Sequence, residues 1–562
     1  MGVSEQIKRV ELPNGSQWIN DDVRPVNAER RTWTFLAYHN FWLLINCNIA
    51  TFLTGSALIP LGLTWWQAII CMNPTPPRDA SNTCQALLWE TSLLRVRSSW
   101  PQWLEPITIV RINSIDDKHI LTVSVGFPVF SRAVWGLWGA QFVVWNRIFL
   151  SLVNLQPEDK AHSYIPQFLC YFIFCIISLP LLMIQPHRLQ KFFYFTSTIT
   201  LIFFVVLLIW ALATMGPRGF GDTISSGSVL PATGGPDSVA WLMIMGIMST
   251  IGSIAAGILN QNDYARLARR PGDAIWGQAF AFPFYGIFAS ILGILVTAAT
   301  QDRMGEAIWN PPTLFVRLLE KDNSAGTRAA VFFSGLALVV SQIGSNLPGN
   351  ALAGGIDLSS VFPRYINIRR GAYITAILSP IVNPWRLVNT ATIFLTVLSS
   401  YGVFLAPMTG LMVASYLVVC KQKLNVDDLY RGDKGSIYWY TWGVNWRAPV
   451  AFPQWIVGVV PCLPGFIAAV DTSVSVSDGA TELYYTNYMY GFLSSALVYS
   501  VLHFAFPDAR SDDFVRNSPS ARDLQQQYQT RWDDVTLAET PELHDDSSDS
   551  HKNQGLETTT RI

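Results

Sequence analysis

Apolar residues recur along this chain in runs of about 20, each long enough to cross the hydrocarbon core of a bilayer as a helix. The runs fall at 38–63, 133–154, 166–184, 193–215, 238–262, 275–300, 329–356, 372–388, 391–419, 453–470 and 487–507. They are too long and too continuously apolar for barrel strands, and lipid leaves no third way to pair the backbone. The pattern predicts an all-α polytopic membrane protein. It divides the chain into a polar tail (1–33), a transmembrane domain (34–507) and a polar, acidic tail (508–562) that reads as disordered.

Three runs carry polar islands. The seventh contains SQIGSNLPGN at 341–350. Pro348 lacks an N–H, so the carbonyl of Gly344 loses its helical partner. Ser341 and Ser345 are spaced i,i+4 on one face beside that carbonyl. Two hydroxyls and a carbonyl form an oxygen cage suited to a small cation such as Na⁺. Asn346 and Asn350 are also i,i+4, on the adjacent face. Their amides match the alternating N–H and C=O edge of a nucleobase or hydantoin-like ring. Amides are costly in lipid unless satisfied, which favours a binding role for this pair, whereas Gly349 and Ala353 read as packing residues. The first run contains INCNIATFLTGS at 45–56, where Asn46 and Asn48 either break the helix or pack it. The fifth contains GSIAAGILNQND at 252–263, whose polar run Asn260, Gln261, Asn262 and Asp263 either interrupts the helix or ends it. Tyr401, within SSYGVFLAPMTG, either lines a cavity or packs between helices.

Charge adds orientation. Lysine and arginine gather in RPVNAERR, QPHRLQKFF, YARLARRPGD, FPRYINIRR and KQKLNVDDLYRGDK. From residue 166 onward these occupy every second loop, which puts them and both termini in the cytoplasm. The same parity needs an even number of crossings between the first run and residue 166. The chain offers one good run and the stub WWQAIICM, followed by a polar, Pro-rich stretch at 72–124 that makes a poor span. Aromatic residues at 438–446 (YWYTWGVNW) read as an interfacial belt. Only 14% of the 562 residues are charged and the net charge is -1, so nothing points to a nucleic-acid partner. The seven cysteines lack metal-ligand spacing and read as buried thiols. The chain has no GxxxxGK[ST] loop, HExxH helix or GxSxG elbow, and its spans are almost bare of titratable groups, which argues against an ATP-driven pump or an enzyme. No cofactor is expected; the partners are a small-molecule substrate and membrane lipid.

NLPGNALAGGIDLSSVFPRYINIRRGAYITA at 346–376 resembles the fungal uracil/allantoin/uridine permease branch of the nucleobase–cation symporter-1 family. NDDVRPVNAERRTW, GFPVFSRAVWGLWGA, NQNDYARLARRP, SSYGVFLAPMTG and GVNWRAPVAF extend the resemblance over roughly 18–70 and 125–510. It implies a LeuT-type fold, with two inverted five-helix repeats plus two extra helices, and a plasma-membrane importer that works by alternating access. By resemblance, Asn346 and Asn350 contact substrate. Ser341, Gly344 and Ser345 form one half of the cation site, and Asn46 and Ile49 form the other. Bacterial relatives use Na⁺ and fungal ones H⁺; the retained serines fit either ion.

Three features depart from the family. The Trp-x-x-x-Gln pair expected on the third helix is missing after Val153. The stretch 72–124 replaces the rest of helix two and its loop. Ile254 stands where bacterial relatives place an aromatic on helix six. The first two departures support a second reading, a degenerate relative or membrane sensor that binds without translocating.

Overall fold

The computed structural model describes residues 11–72, 127–152, 165–220, 238–378, 391–448 and 453–528, apart from isolated positions within them. The 72–124 stretch, beyond its first residue, and the positions directly after Leu152 lie outside the described residues. The missing third-helix pair and the parity of crossings before residue 166 therefore lie outside them too.

Helix formation follows the apolar runs. Thr34 caps α1 (Phe35–Asn46), its side chain accepting from the Ala37 N–H. The chain leaves the helix at Cys47 and Asn48 and restarts as α2 (Ile49–Ser56), so the first span is interrupted. The stub forms α3 (Trp65–Met72). Next come α4 (Phe127–Trp135) and α5 (Leu137–Leu152), separated by Gly136 with φ 84°. A side chain at Gly136 would collide with the backbone of 443–445, whose Asn445 N–H donates to Trp135 O at 2.9 Å. Then follow α6 (Ile165–Ser178), α7 (Gln190–Ala213), α8 (Val239–Ala265), α9 (Pro271–Met304), α10 (Pro311–Lys321) and α11 (Ala325–Asn346). A π-helical turn over Leu347–Leu352 joins α11 to α12 (Ala353–Val361). Further on come α13 (Ile368–Leu378), α14 (Ala391–Val413) with a second π-helical turn at Ala414–Val419, a third π-helical segment at Pro453–Val459, α15 (Leu463–Val470), α16 (Asp478–Tyr485), α17 (Asn487–Ala505) and α18 (Ala509–Asn517). Among the described residues, five helices are long and apolar enough to cross a membrane: Gln190–Ala213, Val239–Ala265, Gly272–Met304, Ala325–Val361 and Phe394–Val419.

Lipid supplies no hydrophobic drive between helices, so they must fit closely through small residues. A methyl group at Gly55 of α2 would meet the Ser290 backbone, and one at Gly293 of α9 would meet Phe52 O. The two helices thus press backbone to backbone, and Ser290 Oγ donates to Thr51 O at 3.1 Å. Gly252 of α8 fits against the Leu398 backbone of α14 in the same way, beside a 2.7 Å bond between the Ser249 and Ser399 hydroxyls.

That packing decides between the two readings of the fifth run, in favour of a polar run that ends the helix. Val239–Ala265 is a continuous helix, with no interruption at 252–263. Gly252 and Ser249 serve the approach to α14, while Ser253 Oγ donates to Thr250 O within the helix. The polar run lies in its last turns and is buried, with Gln261 0% and Asp263 1% exposed. Asp263 Oδ1 accepts from the Phe127 N–H at 2.9 Å and so caps the start of α4.

The polar termini also depart from their composition. Asn20 is buried and its Nδ2 faces the carbonyls of Ser359, Pro363 and Ile366, tying the N-terminal segment to the α12–α13 loop. At the other end, Lys423 Nζ donates to Val515 O at 2.7 Å and Ser518 O at 2.9 Å, and Leu524 and Tyr528 are buried. Residues 508–528 are therefore docked, although their composition places them in the disordered tail. Cys47, Cys71, Cys420 and Cys462 are buried free thiols, as expected, while Cys175 is only half-buried.

Candidate functional site

The first interruption is held by its own side chains. Asn48 sits at the N-terminus of α2 with extended backbone (φ -127°, ψ 177°), and its Oδ1 accepts from the Thr51 N–H at 3.0 Å. Its Nδ2 reaches back to donate to Ile45 O, in the last turn of α1, at 2.6 Å. One asparagine thus serves an orphan donor of the new helix and an orphan acceptor of the old one. Asn46 is 2% exposed and donates to Phe282 O of α9 at 2.9 Å. Its amide nitrogen is committed to packing, which leaves its side-chain oxygen and main-chain carbonyl as the atoms that could face a cation. Ile49, the first residue of α2, is half-buried.

The interruption expected around Pro348 takes another form. The helix does not break there; it widens into the π-helical turn, one residue of which is the proline. A π turn shifts the bonding partner by one residue, which lets a proline sit in a membrane helix without splitting it. Pro348 O accepts from the Tyr264 hydroxyl at 2.7 Å, fastening the basic end of α8 to this turn.

The two irregular segments meet. A Cβ at Gly349 would lie 2.8 Å from Ile45 Cδ1, and one at Gly344 would lie 2.9 Å from Leu44 Cδ2 and 3.0 Å from Thr196 Oγ1. The last turn of α1, the end of α11 and the second turn of α7 therefore converge on Gly344. Ser341 is 0% exposed, and its hydroxyl has no hydrogen-bond partner among the described residues. Ser345 is 7% exposed and donates to Gln342 O at 3.3 Å, which leaves its oxygen lone pairs free to accept. Of these three residues the structure brings Gly344 against α1, with Ser341 and Ser345 buried on the same helix beside it. A buried hydroxyl without a partner costs free energy unless something polar meets it, and an electron-rich group of this kind suits a small cation.

The asparagine pair lies on the other side of the turn. Asn350 Nδ2 donates to Asn346 Oδ1 at 2.6 Å, Asn350 is exposed and Asn346 is half-buried. One donor and one acceptor are used within the pair. Asn350 Oδ1, its second N–H and the Asn346 amide nitrogen stay available to a guest. Ile254 and Tyr401 are half-buried on α8 and α14, two residues beyond Gly252 and three beyond Leu398, where those helices touch. Reading the sequence alone misses Thr196 and Tyr264. Tyr264 follows the polar run directly, which was a usable signal. Thr196 opens the hydroxyl cluster TSTIT at 196–200 within an apolar run, which was a usable signal as well.

The pattern defining permeases for cytosine/purines, uracil, thiamine and allantoin matches residues 25–73 and 122–491. The allantoin permease of Saccharomyces cerevisiae is 31% identical over 521 residues, covering 87% of this chain and 76% of that protein. The uracil permease of the same yeast is 30% identical over 519 residues, with the same coverage of both chains. Among solved structures, Mhp1 in a closed conformation with bromovinylhydantoin bound superimposes with a TM-score of 0.58 at 18% identity, covering 91% of this chain and 99% of Mhp1. An inward-facing form of Mhp1 gives 0.56. The fold is therefore LeuT-type, and the chain belongs to the nucleobase–cation symporter-1 family of membrane transporters.

Proposed function

We propose that this transporter imports a nucleobase-like lactam or ureide across the plasma membrane, driven by co-transport of H⁺ or Na⁺, with both termini in the cytoplasm. The observation that carries the reading is the wide turn of α11. The end of α11 leading into it carries a buried, unpartnered hydroxyl at Ser341, and Asn346 and Asn350 flank its start as a pair with free amide groups. The cation binds at Ser341, Gly344 and Ser345 against the end of α1. The substrate edge binds Asn346 and Asn350, within walls that include Ile254 and Tyr401. Alternating access follows from rocking α1, α2 and α8 against α11 around this turn. Uracil, allantoin and uridine are the candidate cargoes, consistent with what the similar yeast permeases are named for. Uptake of labelled uracil and allantoin in cells lacking their own permeases tests the reading; uptake of neither overturns it.

A second reading, binding without translocation, is favoured by the replacement of the third-helix Trp-x-x-x-Gln pattern with NLQPEDKAHSY at 154–164. Sequencing the transcript across codons 70–160 separates the two. A message encoding complete second and third helices removes the second reading.

A further inference from the structure

Gln342 has no role in the site so far. It lies on α11 four residues before Asn346 and eight before Asn350. Four residues of α-helix advance about 400°, so Gln342 projects within about 40° of Asn346 and about 6 Å along the axis from it. The 2.6 Å bond between Asn350 and Asn346 confirms that the next step, through the π turn, keeps the same face. Gln342, Asn346 and Asn350 thus form a ladder of three amides. Helical side chains lean toward the N-terminus, so Asn350 leans onto Asn346 as observed, and Asn346 leans toward Gln342.

Gln342 is half-buried, and its side-chain amide makes no hydrogen bond among the described residues; only its main-chain carbonyl is used, by Ser345. Packing alone would be served as well by leucine or methionine. A free amide in the middle of a membrane helix is an expensive choice for a merely structural position.

We propose that Gln342 is a specificity-determining residue, which hydrogen-bonds a second amide-bearing arm of the substrate while the asparagine pair holds the ring. This rests on the placement of the substrate at Asn346 and Asn350. A lactam ring with a single imide edge, such as uracil, is satisfied by the pair. A third amide one helical turn away adds nothing for such a ring, but it reaches a substituent carrying its own N–H and C=O groups. The cargo class that fits the ladder is a ring lactam bearing a ureido or carboxamide arm, of which allantoin is the simplest probe.

The test measures binding of allantoin and uracil by calorimetry to the purified full chain, wild type, Gln342→Met and Asn350→Ala. Methionine keeps the volume and removes the hydrogen bonds. The wild type is expected to bind allantoin more tightly than uracil. Gln342→Met is expected to lose about tenfold in allantoin affinity, the worth of one hydrogen bond to a ligand, with uracil affinity unchanged. Equal losses for both compounds, or none for either, overturn the arm contact. Asn350→Ala separates the failures. If it weakens both compounds while Gln342→Met discriminates neither, the site stands and this inference falls. If it changes neither, or if the wild type binds neither compound, the site is wrong and the inference falls with it.

Discussion

Two irregular segments lie side by side in this molecule, and they treat their hydrogen bonds in opposite ways. At the α1–α2 interruption the backbone is truly broken, yet its polar side chains are paired: Asn48 bridges the two helix ends and Asn46 is bound to Phe282 O. At the α11 turn the helix is unbroken, yet Ser341 is unpartnered and Asn350 is exposed with free amide valences. A break in a membrane helix can therefore be held by its own side chains, without a guest. A site is recognised by polar groups that the protein has placed in an apolar region and left open.

The largest effect expected from this contrast is at Asn350. Asn350→Ala should lower substrate affinity by about 100-fold, the loss of two hydrogen bonds, measured as the uptake KM or the binding constant. Because Asn350 is exposed, the variant's melting temperature should barely move. At the break the pattern should invert. Asn46→Leu removes the donor to a buried carbonyl and should destabilise the protein by about 2 kcal/mol, read as a lower melting temperature. Substrate selectivity should be unchanged. If Asn46→Leu altered selectivity at full stability, the contrast would fail.

Ser341 sharpens the same comparison. Ser341→Ala removes a hydroxyl with no protein partner, so stability without ion should stay level or rise. The ion concentration for half-maximal transport should increase by about tenfold, the worth of one oxygen ligand. A destabilised Ser341→Ala protein with unchanged ion dependence would identify the hydroxyl as structural.

The fold was largely legible because apolar run length is set by the bilayer: the run at 193–215 appears as Gln190–Ala213, and that at 238–262 as Val239–Ala265. The site was legible at the level of residue type and spacing, since two serines and two asparagines four apart share faces whatever the tertiary structure. Whether each polar group is paired was not legible. Asn46 and Asn48 look alike in sequence; the partner of Asn46 lies 236 residues away, and that of Asn48 three. The glycine and serines at 249–253 mimic a break, but Gly252 and Ser249 serve the approach to Leu398 and Ser399, which no local pattern records. The docked segment 508–528 escaped for the same reason, because Lys423 grips main-chain carbonyls and carbonyls carry no sequence signature.

The smallest expected effect is at Asn48, and it bears on why the break can be stable without a guest. Asn48→Ala loses the cap on α2 and the donor to Ile45 O and should cost about 1 kcal/mol, within the range for N-cap loss. Asn48→Ser keeps an oxygen that can accept from the Thr51 N–H but loses the reach to Ile45, so it should cost less. The order wild type, serine, alanine in melting temperature, with one substrate constant for all three, is what a self-sufficient break requires. Saturating substrate should raise all three melting temperatures equally, because ligand stabilisation depends only on affinity and concentration. A larger substrate-induced rise in the alanine variant would mean that the guest supplies the missing bonds. The α1–α2 break would then belong with the α11 turn as part of the reading surface.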